Sequence, residues 1–338
     1  MRQSTARLVN SSVRLSELRF PCGKVHIPRT RLAFIHLDNL LHFAKADRDG
    51  RVDGFVVAYL PDEVAILLLR AGEPVNAIGI APAGRAVLPI PAALKDMRQE
   101  LERGELTFCD APAEQLAWMY ESCAAPAQPK PIDTQHPESL FAALHHEQYT
   151  GVVELISDGR VSYLRVEAGA FAGGHFCDRP PEMPVPQYVE SLFAPHEDGS
   201  RPDIAAAVFS RTDTFPAQAS PDLILIYREL FWAIADGVDR ETSGSGKRHV
   251  DHFRELLKKI HTSLEVIGVP LDTETDDIVA TSEDLTSALS DWTEKVLEQV
   301  EIVSPGAAPA LIRDATREHR FLLQKAGFYE RLPWTVSW

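Results

Sequence analysis

Two stretches of the chain decide the fold: Gly54-Phe-Val-Val-Ala-Tyr-Leu-Pro-Asp-Glu-Val-Ala-Ile-Leu-Leu-Leu-Arg-Ala-Gly72 and Gly151-Val-Val-Glu-Leu-Ile-Ser-Asp-Gly-Arg-Val-Ser-Tyr-Leu-Arg-Val-Glu-Ala-Gly169. They align at a constant offset of 97 residues. In each stretch a leading Gly opens an apolar run, a tight turn follows, a second apolar run comes next, and an Ala-Gly pair closes it. This shared pattern indicates an internal duplication, because chance similarity between two apolar strands would not repeat the turns as well.

Each copy is predicted to be a three-stranded antiparallel meander. The first turn falls at Pro61-Asp62 in one copy and at Asp158-Gly159 in the other, and Asp-Gly between β-branched runs is a strong hairpin signal. A second turn leads into a third strand, predicted at 75–80 and at 171–176. The residues predicted to set this pattern of strand starts and turns are Gly54, Gly72, Gly151, Asp158, Gly159 and Gly169.

The segments around the meanders repeat as well. A short helix is predicted before each meander, at 37–43 and at 137–144, from apolar residues three and four positions apart. Each copy is also predicted to continue with a helix, a strand and a helix, at 92–102, 105–109 and 113–122 in the first and at 187–193, 204–209 and 222–236 in the second. The Pro-rich stretch between the copies cannot continue a helix and is predicted to be a linker.

The second copy resembles the PATAN-type domain of bacterial signalling proteins. The resemblance rests on a short Leu-rich helix, the strand Thr150-Gly-Val-Val-Glu-Leu155, a Gly turn, and the run from Val161 to Gly174. The first copy departs from the pattern, with Asp53 at the place of Thr150 and Pro61-Asp62 in the turn. The resemblance implies a cytoplasmic signalling or adaptor module and supplies no catalytic residues.

The predicted fold class is α+β, with two repeated units that each combine an antiparallel meander with helices, followed by a C-terminal helical bundle. Three apolar stripes at helical spacing, within 250–264, 285–300 and 311–326, predict the bundle. The predicted parts are a basic N-terminal arm (1–30), the first repeat (31–123), a Pro-rich linker (124–133), the second repeat (134–240) and a helical segment with an aromatic tail (247–338).

The aromatic tail allows two interpretations. Gly327 followed by Phe328 is typical of a helix C-cap with its hydrophobic contact. Phe328, Tyr329, Trp334 and Trp338 either pack back onto the protein or dock a partner, since Trp and Tyr are favoured interface anchors.

Charge limits the partners that the chain can have. The net charge of −15 argues against nucleic acid or an anionic membrane as the main partner. Residues 1–31 hold seven Lys or Arg and one Glu, a balance of +6 that leaves −21 on the rest, and 271–302 holds ten acids. We therefore predict that residues 8–27 lie ordered against the acidic body through these charges and through apolar residues such as Leu8, Val9, Val13 and Leu18.

The compartment is predicted to be cytoplasmic. The four cysteines form no CxxC pair and are read as small buried residues in a reducing compartment. No run approaches the roughly 18–20 apolar residues that cross a bilayer, and polar residues interrupt the N-terminus where a signal peptide would be apolar.

No catalytic, cofactor-binding or metal-ligating residue is predicted. The stretch 272–283 has acids at the EF-hand positions 1, 3, 5 and 12, but Asp277 stands where the sharp turn needs Gly. His136, His145 and His146 are read as surface residues at helix ends, and the glycines of 169–174 as turn and strand-end residues. No specific catalytic motif is present.

The sequence favours a non-catalytic interaction or adaptor protein whose partner is another protein, with a homo-oligomer possible. Two alternatives stay open: an enzyme or small-molecule binder that uses the groove between the repeats, and a structural subunit of a larger assembly. A deep pocket with converging charged or His groups would favour the enzyme or binder, and a flat apolar patch would favour the adaptor.

Overall fold

The structure is a computed structural model that describes residues 14–46, 52–125, 128–133, 136, 138–242, 244, 246–274 and 277–338. Leu8, Val9 and Val13 of the arm, most of the loop 47–53, Pro137, Thr275 and Asp276 lie outside the described residues. The chain divides into two compact units, Met1–Pro216 and Ala217–Trp338. The predicted α+β class is confirmed, with two antiparallel sheets in the first unit and a helical second unit.

The first unit contains both copies. The strands are β1 (Val25–Arg31), β2 (Gly54–Tyr59), β3 (Val64–Arg70), β4 (Glu73–Ala81), β5 (Gly84–Leu88), β6 (Glu105–Asp110), β7 (Gln128–Lys130), β8 (Gly151–Ser157), β9 (Arg160–Glu167), β10 (Ala170–Phe176) and β11 (Ile204–Phe209). The helices are α1 (Leu37–Ala46), α2 (Ile90–Gln99), α3 (Ala113–Ala124), α4 (Glu138–His146) and α5 (Val185–Ser191).

The two sheets repeat one topology. Sheet 1 has the order β1-β6-β2-β3-β4-β5, and sheet 2 has the order β10-β9-β8-β11-β7. Reading sheet 2 in reverse matches β7, β11, β8, β9 and β10 to β1, β6, β2, β3 and β4. Both three-stranded meanders are therefore present as predicted, and β5 is the one strand of sheet 1 without a counterpart in sheet 2 among the described residues.

The equivalent turns are built from equivalent hydrogen bonds. Ala71 and Gly72 have φ of 51° and 79°, and Ala168 and Gly169 have φ of 46° and 77°, as the central residues of a type I′ turn require. The Ala71 amide donates to the Asp53 carboxylate at 2.5 Å, and the Ala168 amide donates to the Thr150 hydroxyl at 2.9 Å. The exchange of Thr for Asp between the copies thus keeps the same acceptor in place.

Each sheet buries both faces. The outer face of sheet 1 packs on α1 and α2, and the outer face of sheet 2 packs on α4 and α5. The inner faces share one core, in which α3 contributes Leu116, Trp118 and Met119. Alternation of side chains along each strand supplies the two faces.

The described part of the basic arm is ordered. Leu18 and Phe20 are buried in the inner core, and Arg19 pairs through its backbone with Gly159 and Val161 of the hairpin β8–β9. Its side chain forms an ion pair with Asp178 at 2.5 Å. Residues 14–27 therefore lie packed as extended chain and a short 3₁₀ turn, held mainly by apolar burial.

The second unit is a helical bundle of α6 (Pro221–Glu241), α7 (Gly246–Leu257), α8 (Ser263–Ile267), α9 (Ser282–Val303), α10 (Ala307–Thr316) and α11 (Arg320–Lys325). Two of the three apolar stripes predicted from the sequence are each divided between two helices. The core lies around Phe231 of α6 and Trp292 of α9, whose rings are 4.2 Å apart. Helix α6, assigned by the sequence to the second repeat, belongs to this unit.

Within the described part of the chain, no helix combines the length and the apolar character needed to span a membrane.

Candidate functional site

An apolar groove lies on the outer face of sheet 2. It encloses about 430 Å³ and is formed by α4, α5 and the strands β9 and β10. The groove is lined by Glu138, Phe141, Leu164, Phe171, Val185, Pro186, Val189, Glu190 and Phe193. Because seven of these nine side chains are apolar, the groove suits an apolar ligand surface better than a polar metabolite.

Local sequence explains why the groove opens in the second copy. Helix α5 has seven residues, whereas its counterpart α2 has ten and buries Ala93 and Met97 against sheet 1. Tyr188 anchors α5 by donating its hydroxyl to the Cys177 carbonyl and by packing on Phe176 at 5.5 Å. Phe171 stays 46% exposed at the groove, a large apolar surface for a strand residue to leave in solvent.

Two carboxylates stand at the rim of the groove. Glu138 begins α4, and Glu190 lies near the end of α5; both are exposed. His136 approaches Glu138 at 3.3 Å. The groove therefore combines an apolar floor with a negative edge.

A second cluster lies between the two copies. Glu114 of α3 faces Arg165 of β9 at 3.4 Å, Arg211 at 3.3 Å and His175 of β10 at 3.6 Å. Arg211 also reaches Glu167 and Asp213. Burial lowers the pKa of His175, which favours the neutral ring even though Glu114 opposes the shift. These charges are largely paired with one another.

A third feature is a basic pocket of about 480 Å³ at the N-terminal segment. Arg14, Arg29 and Arg103 line it, together with Glu105 and Tyr59. Arg29 is already engaged, because it donates to Glu105 and to the Ser16 carbonyl, both at 2.6 Å, and lies over the Tyr59 ring. Burial raises the pKa of Tyr59 to about 12, so its hydroxyl stays protonated near neutral pH.

The cysteines differ from the sequence-based expectation at one position. Cys109, Cys123 and Cys177 are buried as expected, but Cys22 is exposed. A hydrogen bond with Cys109 lowers the pKa of Cys22 to about 7, against the effect of desolvation. Cys22 lies between the buried Phe20 and the start of β1.

The residues predicted to set turns all lie in the backbone framework, away from the groove. A Cβ at Gly54 or Gly151 would overlap the carbonyl of Cys109 or Phe209 in the neighbouring strand. The structure does not bring these residues together into a site. Asp158 and Gly159 have φ of 48° and 78° and form the hairpin turn that receives the N-terminal segment.

The aromatic tail packs on its own helical unit. Phe328 is fully buried, and its amide donates to the Leu323 carbonyl at 3.0 Å, which completes a Schellman cap together with Gly327. Tyr329 donates its hydroxyl to Thr316 at 2.9 Å. Trp334 packs against the helical core, and Trp338 stays 45% exposed beside Arg320. The tail therefore leaves only Trp338 as a large exposed ring.

Among the residues that the structure describes, no group of three or more His, Cys, Asp or Glu is placed to hold a metal ion. His145 and His146 lie exposed at the end of α4. The sequence had placed Phe141, Phe171 and Val189 in or near predicted elements without assigning them a binding role. The signal that could have found this difference between the copies is the cluster of Pro180, Pro181 and Pro184 after the third strand of the second copy.

No protein-family model, curated protein or solved structure matches this chain.

Proposed function

We propose that this chain is a non-catalytic protein-interaction scaffold in which the first copy is structural and the second copy binds a partner protein. The observation that carries the proposal is the groove beside Phe171, because an apolar side chain left 46% exposed in a concave site is typical of a protein-docking surface. The resemblance to PATAN-type domains supports placing this scaffold in cytoplasmic bacterial signalling.

A site-specific crosslink tests the proposal. A photoreactive phenylalanine analogue at position 171 should capture a defined protein in a lysate of the source cells, whereas the same analogue at Phe34 should not. Phe34 is a matched control because it is 79% exposed and lies outside the groove. The captured protein is then purified for a direct binding measurement.

The purified partner should bind the wild-type chain at least tenfold more tightly than Phe171→Glu, because the variant buries a charge against an apolar partner. Phe34→Glu should bind as the wild type does. Equal binding by Phe171→Glu and the wild type would refute the groove as the docking site.

A second candidate function, a small-molecule binder or enzyme that uses the region between the copies, is favoured by one specific observation. The buried Nε2 of His175 and Nε of Arg165 make no hydrogen bond of ordinary length within the described residues, and each faces a carboxylate instead, Glu114 at 3.6 Å and Glu167 at 3.5 Å. A polar ligand that displaced these carboxylates would supply closer partners. A panel of carboxylate and phosphate metabolites should then raise the melting temperature of the wild type but not of Arg165→Met, and no shift with any of them would count against this candidate.

A further inference from the structure

The two copies differ in the segment that follows their third strand. Eight residues separate β4 from α2, and eight separate β10 from α5. In the first copy this segment turns back and forms β5 along β4. In the second copy it contains Pro180, Pro181 and Pro184, and proline lacks the N–H that a strand inside a sheet must donate. The second copy's own segment is therefore unsuited to form the added strand.

The proline-rich segment is held away from strand geometry by its own contacts. Arg179 donates to the Met183 carbonyl at 2.5 Å, and the Met183 amide donates to the Pro180 carbonyl at 3.0 Å. These bonds fold the segment on itself. In the described part of the chain, β10 consequently has β9 as its one neighbour and ends sheet 2 as an edge strand.

The sequence of β10 does little to protect this edge. Edge strands usually carry charged residues or prolines that block pairing with another chain. The strand Ala170-Phe-Ala-Gly-Gly-His-Phe176 has no Lys, Arg, Asp, Glu or Pro. A register shift between Phe171 and Gly173 is present, but β4 has the equivalent shift and still pairs with β5 beyond it. The irregularity is therefore compatible with an added strand next to 174–176.

A strand added to β10 would place alternate side chains on the outer face of sheet 2, beside the groove. In the first copy Leu88 of β5 lies opposite Ala77 and is buried in the outer core. The position equivalent to Ala77 is Gly174, where a Cβ would lie 3.2 Å from the Phe176 ring. A side chain of an added strand would therefore pack on the Phe171 and Phe176 rings, whose centroids are 6.4 Å apart. Farther out, the groove ends at the carboxylates of Glu138 and Glu190.

We propose that β10 takes up an extended peptide segment of another protein, with apolar residues at alternate positions and a neighbouring Lys or Arg, in the place that β5 occupies beside β4. This inference rests on the proposed function and names the chemistry of the partner. Backbone pairing with β10 gives affinity, the groove selects the apolar side chains, and the two glutamates select the cation.

The charge of the chain favours such a peptide over a second copy of the same protein. Two copies would each bring a net charge of −15 and the same two rim carboxylates to the contact. A basic and apolar peptide instead meets the negative rim with the opposite charge. An antiparallel pairing of β10 with β10 is therefore an outcome for the test to detect, and it would overturn the proposal.

The test uses the full-length protein and phage-displayed nine-residue peptides with apolar residues at alternate positions and Lys or Arg between them. A library of the same composition with its apolar residues contiguous is the control. The alternating library should yield binders that slow amide exchange in 174–176. Failure to enrich any peptide from it, or equal enrichment from both libraries, would overturn the proposal.

Backbone methylation of a selected peptide separates strand pairing from side-chain docking. N-methylation at every second residue should weaken binding about fivefold or more, because each blocked N–H loses one hydrogen bond to β10, while methylation at the intervening residues should change it less than about twofold. Phe171→Glu should weaken binding about tenfold and Phe34→Glu should leave it unchanged.

The two proposals fail in different ways. Binding that depends on Phe171 but shows no period-two methylation pattern would overturn strand pairing and leave the groove as a docking site. Binding that is indifferent to Phe171→Glu would overturn both. Sedimentation of the free protein at micromolar concentration tests for self-association. A dimer that Phe171→Glu dissociates would show that a second copy pairs with β10, and it would overturn the proposal of a peptide partner.

Discussion

The inner faces of the two sheets carry different side chains at equivalent positions. Where the first copy has Val57, Ile66, Leu68 and Ile78, the second has Glu154, Tyr163, Arg165 and His175. Glu154 is only 3% exposed and is neutralised by Arg85 of β5, which donates to both carboxylate oxygens at 2.9 and 2.6 Å. The strand that only the first copy has thus carries the counter-ion that the second copy needs.

Breaking this pair should be costly, and replacing both partners should not. Arg85→Met leaves the Glu154 carboxylate buried and unpaired, so we expect about 3–5 kcal/mol of destabilisation, whereas Arg85→Met with Glu154→Leu should recover most of it. The urea dependence of amide exchange in β8 measures the stability of this unit. If the double variant is as unstable as Arg85→Met alone, the ion pair stabilises the fold by more than the avoidance of an unpaired buried charge.

His175 should make the first unit sensitive to acid. Burial beside Trp118 lowers the pKa of its ring in the folded state, with Glu114 opposing the shift and Arg165 adding to it. The unfolded chain therefore takes up a proton more readily, so stability is intact above about pH 6.5 and is lost as pH falls through the folded pKa.

His175→Gln should accordingly flatten the fall in stability between about pH 7 and pH 5 relative to the wild type. The stability is measured from the protection of the β9 and β10 amides against hydrogen exchange across this pH range. If the stability of His175→Gln falls with pH as steeply as that of the wild type, the acid sensitivity belongs to other groups.

Glycines in turns are subject to two separate constraints, a left-handed backbone and the space available around a Cβ. Gly169 has φ of 77°, and a Cβ there would lie 2.5 Å from His145 Cα in α4. Gly199 has nearly the same φ, 80°, but no heavy atom lies within 4 Å of the corresponding Cβ. A comparison of Gly169 with Gly199 therefore separates the energetic cost of the left-handed conformation from the cost of the close approach between the turn and α4.

Gly199→Ala should destabilise the first unit by about 1–2 kcal/mol, the cost of a left-handed alanine. Gly169→Ala should cost clearly more, because α4 must also shift. The two variants are compared by urea-dependent exchange in β9 and β10. Equal losses of stability in the two variants would mean that α4 shifts at no cost in free energy.

The meanders were predictable because their signals are local. Apolar runs separated by turn residues define β2 to β4 and β8 to β10. The same spacing of runs and turns located these strands in both copies. The strands β5 and β7 were missed, and β1 was assigned to the basic arm (1–30) instead of the first repeat. Gly84-Arg-Ala-Val-Leu88 has no strong alternation, and β7 has Pro129 in a stretch read as linker, which is tolerated because β7 is an edge strand. The groove depends on this asymmetry and so escaped prediction.

The division of the whole molecule differs from a division by repeats. By position, α6 is the second-copy counterpart of α3, yet its apolar face belongs to the helical core. Tyr227, Phe231 and Ile234 recur at helical spacing and are buried in that core. Sequence similarity assigns α6 to the second repeat, because the repeats reflect a duplication. The buried contacts of α6 assign it to the helical unit, so the repeat boundary and the boundary of the compact unit differ at this helix.

The helical unit should therefore fold only when α6 is included. Removing α6 takes away five large buried side chains, Ile224, Tyr227, Leu230, Phe231 and Ile234. At roughly 1.5–3 kcal/mol each, their loss matches the whole stability of about 5–15 kcal/mol of a typical domain. We expect a fragment of residues 217–338 to unfold cooperatively on heating and a fragment of residues 242–338 to show no cooperative transition by circular dichroism.

Two variants of the longer fragment control for the core itself. Trp292→Ala removes the ring that packs on Phe231 and should cost about 3–5 kcal/mol, whereas Phe321→Ala, at a side chain that is 78% exposed, should cost less than about 0.5 kcal/mol. A cooperative transition in the fragment 242–338, at the temperature of the longer fragment, would contradict the assignment of α6 to this core. It would then restore the boundary near residue 240, because the remaining helices would bury enough surface without it.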